Sequence, residues 1–71
     1  MKQKQTDLIL RYLQEYGSIT PLEALSEFSC MRLGARIWDL RRDGYEITKT
    51  MEAATNRFGD PVHYARYTLV Q

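Results

Sequence analysis

One cysteine and one histidine are all that this 71-residue chain offers of the side chains that build disulfides and zinc sites. Cys30 has no partner for an internal disulfide, and Cys30 with His63 does not make a ligand set, so no metal is expected. No stretch approaches the roughly 20 consecutive apolar residues of a membrane-crossing helix, and no membrane partner is expected. Met1-Lys2-Gln3-Lys4-Gln5 is polar and leads into no apolar signal-peptide core, which predicts a cytosolic protein. There is no glycine-rich phosphate loop, and the carboxylates are scattered over helix surfaces. His63 lies on an expected strand with no Ser or Cys arranged beside it. These absences predict no catalytic residue, no cofactor, no small-molecule ligand and no enzyme.

What remains is one domain over residues 1–71, with residues 1–5 as a mobile tail. The 44% hydrophobic content is ordinary for a globular chain. At this length little of the surface can be buried, so the elements must be compact and their connections short.

The net charge of +1 points to no partner, but its distribution is uneven. Residues 1–30 sum to −1 and residues 31–71 to +2. Arg32, Arg36, Arg41 and Arg42 fall within eleven residues and are opposed only by Asp39. Local clustering of this kind suits phosphate binding whatever the total charge. Arginine's planar fork also fits guanine edges.

Helical spacing and stop signals divide the first half into three helices. The first runs from about Thr6 to Tyr16, with Thr6 as its cap, Asp7 in its first turn and Gly17 as its stop. Ile9, Leu13 and Tyr16 are its expected core residues, with Leu10 and Tyr12 beside them. Ser18-Ile19-Thr20 is extended, and Ile19 forms a minimal strand. Thr20-Pro21-Leu22-Glu23 combines a capping Thr, a Pro at the first helical position and a Glu three residues after the cap. That second helix ends near Phe28 and is expected to bury Leu22, Ala24, Leu25 and Phe28. Ser29-Cys30-Met31 is the turn, with Ser29 capping a third helix that runs to about Asp43, and Gly44 follows in the left-handed position. Leu33, Ile37 and Leu40 form its core stripe. Arg32, Ala35, Asp39 and Arg42 fall opposite, with Arg36 and Arg41 at the two margins.

After Gly44 the period becomes two. Tyr45, Ile47 and Met51 alternate with Glu46, Thr48 and Thr50, and Lys49 interrupts the apolar side. Residues 56–61, rich in Asn, Gly, Asp and Pro, form a turn. A second strand runs from about His63 to Val70, with Ala65, Tyr67 and Leu69 on one side. The expected fold is α+β: three helices, a minimal strand near Ile19, and a closing β-hairpin.

Residues 19–69 resemble the small winged helix-turn-helix domains encoded by bacteriophages and prophages. The likeness rests on Ile19-Thr20-Pro21-Leu22-Glu23-Ala24-Leu25, Met31-Arg32-Leu33-Gly34-Ala35-Arg36-Ile37, Leu40-Arg41-Arg42-Asp43-Gly44-Tyr45 and Ile47. It implies a double-stranded DNA-binding protein, either a transcriptional regulator or a recombination-associated factor. The third helix would read the major groove, and the hairpin, residues 45–70, would be the wing on the backbone or minor groove. Arg32, Ala35, Arg36 and Asp39 would then lie at the groove. Trp38 departs from the pattern, standing where a small polar residue is commoner.

The residue chemistry is compatible with that implication. Arg32 and Arg36, one turn apart, can bond guanine, Asp39 can accept from cytosine, and Ala35 can touch a thymine methyl. Arg41 and Arg42 are placed for phosphates. The wing carries Lys49, Arg57 and Arg66, with Lys49 and Arg57 as further DNA contacts; Arg57, beside Asn56 and Gly59 at the tip, either enters a minor groove or grips its phosphates. Lys2 and Lys4 either add phosphate contacts or belong to a solubilising tail. Each charged position also has a plainer reading as a solvated surface. Tyr12, Tyr16, Phe28, Tyr45 and Tyr67 are expected in the core. Trp38 either covers the hairpin base or anchors a partner or a second subunit. The alternative function is therefore a protein-interaction module of the same fold, and self-association is a further possibility.

Overall fold

The structure is a computed structural model, and it describes residues 4–70. Its elements are α1 (Gln5–Tyr16), β1 (Ser18–Ile19), α2 (Pro21–Phe28), α3 (Leu33–Arg42), β2 (Ile47–Thr55) and β3 (Pro61–Leu69). The strands form one antiparallel sheet in the order β1-β3-β2. β2 and β3 pair from Ile47↔Leu69 to Thr55↔Pro61, and β1 pairs through Ser18↔Thr68 and Ile19↔Tyr67. No helix among the described residues is long and apolar enough to cross a membrane.

The core is small and draws on every element except β3 for its fully buried members. Ile9 and Leu13 come from α1, Ile19 from β1, Ala24 from α2, Cys30 from the turn, Leu33, Ile37 and Leu40 from α3, and Ile47 from β2. Leu10, Tyr12, Phe28, Tyr67 and Leu69 close over them. Cys30 sits there as a small apolar residue. The Leu33-Ile37-Leu40 stripe thus clamps α3 to the body along one side.

Local chemistry accounts for the boundaries. At α2, the Thr20 hydroxyl accepts from Glu23 N at 3.3 Å, and Thr20 N donates to Glu23 Oε1 at 2.9 Å. This reciprocal capping box and Pro21 fix the start of α2 where the sequence signals placed it. Gly17 ends α1 at φ 89°, with its N–H donating to Leu13 O at 2.8 Å. Gly44 holds φ 104° after α3, as its position predicts.

Several expectations are corrected. α1 begins at Gln5, because Leu8 N and Asp7 N both bond to Lys4 O, so Lys4 is the cap position and Thr6 sits inside the first turn. The expected tail therefore stops before Gln5, and residues 1–3, with Lys2, lie outside the described residues. Ser29 closes α2 instead of opening α3. It adopts the left-handed conformation (φ 54°), with Ser29 N on Leu25 O and Cys30 N on Ala24 O. The turn accordingly extends through Arg32, and α3 starts at Leu33.

Leu22 and Leu25 are 75% and 47% exposed. The two turns of α2 present one narrow side inward, which Ala24 and Phe28 occupy one turn apart. Glu23, Ser26 and Glu27 mark the polar side, but the apolar arc from Ala24 round to Leu22 is wider than the contact, so spacing alone does not choose which part of it is buried. Tyr16 is 66% exposed, although its ring lies 4.6 Å from that of Tyr12. Tyr45 and Met51 are exposed, leaving Ile47 as the single buried residue of the first wing strand. Both strands are longer than expected at the distal end, reaching Thr55 and starting at Pro61.

Candidate nucleic-acid interface

The exposed side of α3 follows from its core stripe. With Leu33, Ile37 and Leu40 turned inward, about 100° per residue carries Ala35, Trp38 and Arg42 to the opposite side. Arg32, Gly34, Trp38, Arg41 and Arg42 are exposed, while Ala35, Arg36 and Asp39 are half-buried. No acidic residue lies in the first turn, and Arg32 makes no side-chain cap bond. The basic residues Arg41 and Arg42 end the helix.

Asp39 lies between two guanidinium groups, with Oδ2 3.7 Å from Arg36 Nη1 and Oδ1 3.9 Å from Arg42 Nη1. Arg42 Nε is also 3.7 Å from Asp43 Oδ1. These separations exceed hydrogen-bond length, and exposed pairs of this sort contribute about 0–1 kcal/mol. A competing phosphate or base edge can therefore displace them at small cost. Arg36 Nε is buried with no hydrogen-bond partner, so part of this guanidinium is committed to the margin of the core.

Trp38 is 60% exposed, and the Arg42 guanidinium stacks 5.2 Å from its ring centroid. Most of its surface is open to solvent. Trp38 lies on the outward side of α3, beside Ala35 and Arg42.

Arg41 has a role that spacing did not reveal. Its Nε and Nη2 donate to Ile47 O at 3.0 and 2.8 Å. β2 is an edge strand, so no further strand claims that carbonyl, and the guanidinium ties the end of α3 to the start of the wing. Arg66 is likewise structural. Its guanidinium donates to Glu52 Oε1 at 2.8 Å and to Ser18 Oγ at 3.0 Å, with Glu23 Oε1 at 3.9 Å, linking all three strands and α2. The Arg66 hydrogen bond, reinforced by Tyr64, holds the Glu52 carboxyl below its ordinary pKa.

On the wing, Lys49 is exposed midway along β2, and Arg57 and Phe58 stand at the tip. The Arg57 guanidinium lies 5.3 Å from the Phe58 ring centroid. Asn56 shapes this loop, its Oδ1 accepting from Phe58 N at 2.9 Å and Asp60 N at 3.0 Å.

A separate apolar groove of about 730 Å³ opens between α2, the α2–α3 turn and the wing, lined chiefly by Leu22, Leu25, Met31, Leu33, Ala54 and Tyr64. Between α1 and α2, Tyr12 packs edge-on against Phe28 at 5.7 Å. Burial first, and then the nearby Glu23 and Glu27 carboxylates, raise the Tyr12 pKa.

Three helices, the third outward-facing and basic, followed by an antiparallel hairpin and a short third strand, define a winged helix-turn-helix architecture. The chain belongs to the winged helix-turn-helix domain family, whose profile matches residues 4–71. Members of this class are DNA-binding modules as a rule, with the third helix as the usual reading element. No curated protein and no solved structure matches the chain.

Proposed function

We propose that this protein binds duplex DNA as a regulator of transcription or a recombination-associated factor of bacteriophage or prophage type, acting in the bacterial cytoplasm. α3 enters the major groove, and the hairpin contacts the backbone or the minor groove. The observation that carries this reading is the division of α3 into a buried apolar stripe and an outward side bearing Ala35, Asp39 and Arg42, with Arg32 exposed just before its first turn. In this reading Arg32 and Arg36 address guanine, Asp39 accepts from cytosine, and Ala35 allows close approach. Arg42, Lys49 and Arg57 meet phosphates. Arg41 adds charge at the same end while its fork holds Ile47 O.

Selection from a randomised duplex pool at two salt concentrations tests the proposal. A common motif is expected, together with an affinity that falls as salt rises. Arg32→Ala should relax base preference at one position and cost about 1–3 kcal/mol there. Absence of salt-dependent binding at low ionic strength refutes the reading.

Trp38 favours a second reading, a module that binds a protein partner or a second copy. A 60% exposed Trp near the centre of α3 is the kind of residue that anchors interfaces. The two readings separate on Trp38→Ala, which would abolish protein association in the second while leaving salt-dependent duplex binding in the first.

A further inference from the structure

The wing tip carries an aromatic side chain that the fold does not use. Phe58 is 78% exposed and is absent from the core and from the side chains packed against it. The backbone does not require it either. The loop is made by Asn56 and by Gly59, the latter at φ 87°, whereas Phe58 is not among the positive-φ residues, so a polar side chain would serve the turn equally well.

The tip is nevertheless rigidly held. Asn56 N donates to Asp60 O at 2.9 Å and Gly59 N to Asn56 O at 3.0 Å, in addition to the two bonds accepted by Asn56 Oδ1. The backbone that carries the ring is therefore held in place, which lowers the ordering needed on binding. Residues 53–63 are exposed throughout, and most of those on the strands flanking the tip are small, among them Ala53, Ala54, Thr55 and Pro61. The molecule is 41 Å long against 26 and 20 Å in its other directions. A slender arm thus ends in one apolar ring with one guanidinium over it.

Resting on the duplex-binding reading above, we propose that Phe58 is a wedge that enters the minor groove, partly unstacks one base step and bends the duplex. The pairing with Arg57 supplies the physical logic. The narrow minor groove concentrates negative potential and draws in arginine, and an apolar side chain beside it can slip between base pairs at a flexible step. As Arg57 turns to phosphate or groove acceptors, it uncovers the ring face that stacks on a base. Asp60, at the other side of the loop, opposes this approach with its charge.

The test uses the full chain and 30-base-pair duplexes carrying TA or CA steps, with dyes at both ends and 2-aminopurine at one step. Anisotropy reports binding, energy transfer reports bending, and 2-aminopurine emission reports unstacking. The wild type should bend the duplex by roughly 20–90° and brighten the probe at one step. Phe58→Ala should melt at the wild-type temperature, bind roughly five- to a hundredfold more weakly, and at saturation show neither signal. Phe58→Leu should keep the bend, and Asp60→Asn should tighten binding. Saturable binding without bending or unstacking overturns the wedge and leaves duplex binding intact, as does an unchanged bend in Phe58→Ala. Failure to bind any duplex overturns both.

Discussion

Replacing Arg41 with alanine separates two roles that a basic residue at the end of α3 can have. Its Nε and Nη2 donate to one acceptor, Ile47 O, at 3.0 and 2.8 Å. A hydrogen bond from a charged donor contributes about 1.5–3 kcal/mol when well buried. Here the two share a carbonyl and the side chain is exposed, so water replaces part of the loss. The pair should therefore amount to about 1–2 kcal/mol, discounted for that exposure. In a domain of this size each kcal/mol moves the melting temperature by about 4–8 °C, which predicts a fall of about 5–15 °C. Calorimetry and urea titration measure it directly. Arg41→Lys should recover less than half, because an ammonium cannot present two parallel donors from one plane. If Arg41→Ala melts like the wild type, the contact to Ile47 contributes nothing. A simultaneous loss of duplex binding would then move Arg41 from anchor to phosphate contact.

Three further outcomes are expected. Thr20→Ala removes the hydroxyl half of the capping box and should destabilise the domain by about 1 kcal/mol, read from urea unfolding, while Thr20→Ser should restore most of it. Because Arg66 holds the Glu52 carboxyl below its ordinary pKa, this pair stabilises the fold above the unfolded carboxylate pKa of about 4.3. That contribution is lost as pH falls through the lower folded value, so Glu52→Gln should flatten the acid limb of a melting-temperature profile. Arg42→Ala should weaken binding to all duplexes alike and reduce the salt slope by about 1, while releasing Trp38 from its stacked guanidinium. An unchanged salt slope would remove Arg42 from the phosphate contacts.

The legible part of the sequence was whatever depends on near neighbours. The capping box at Thr20, the stops at Gly17 and Gly44, and the Leu33-Ile37-Leu40 stripe are all set within a few residues along the chain, and each stands as expected. The order of the elements, and hence the winged helix-turn-helix fold, follows from them. The basic face of α3 was equally visible, since a core stripe fixes what lies opposite.

Tertiary packing decided the rest. The apolar arc of α2 is wider than its contact, and only the docking of α1 and the sheet selected Ala24 while leaving Leu22 and Leu25 largely in solvent. Arg41 and Ile47 are six residues apart, but their bond forms only because the chain reverses at Gly44 and brings β2's free edge to the end of α3. Arg66 reaches Ser18 across 48 positions of sequence. Every arginine has the same local preference for solvent, so sequence alone ranks Arg41, Arg42, Arg57 and Arg66 together. Which of them is tied down, and which is left facing out with Trp38 or Phe58 beside it, depends on distant carbonyls and carboxylates that only the folded chain brings near.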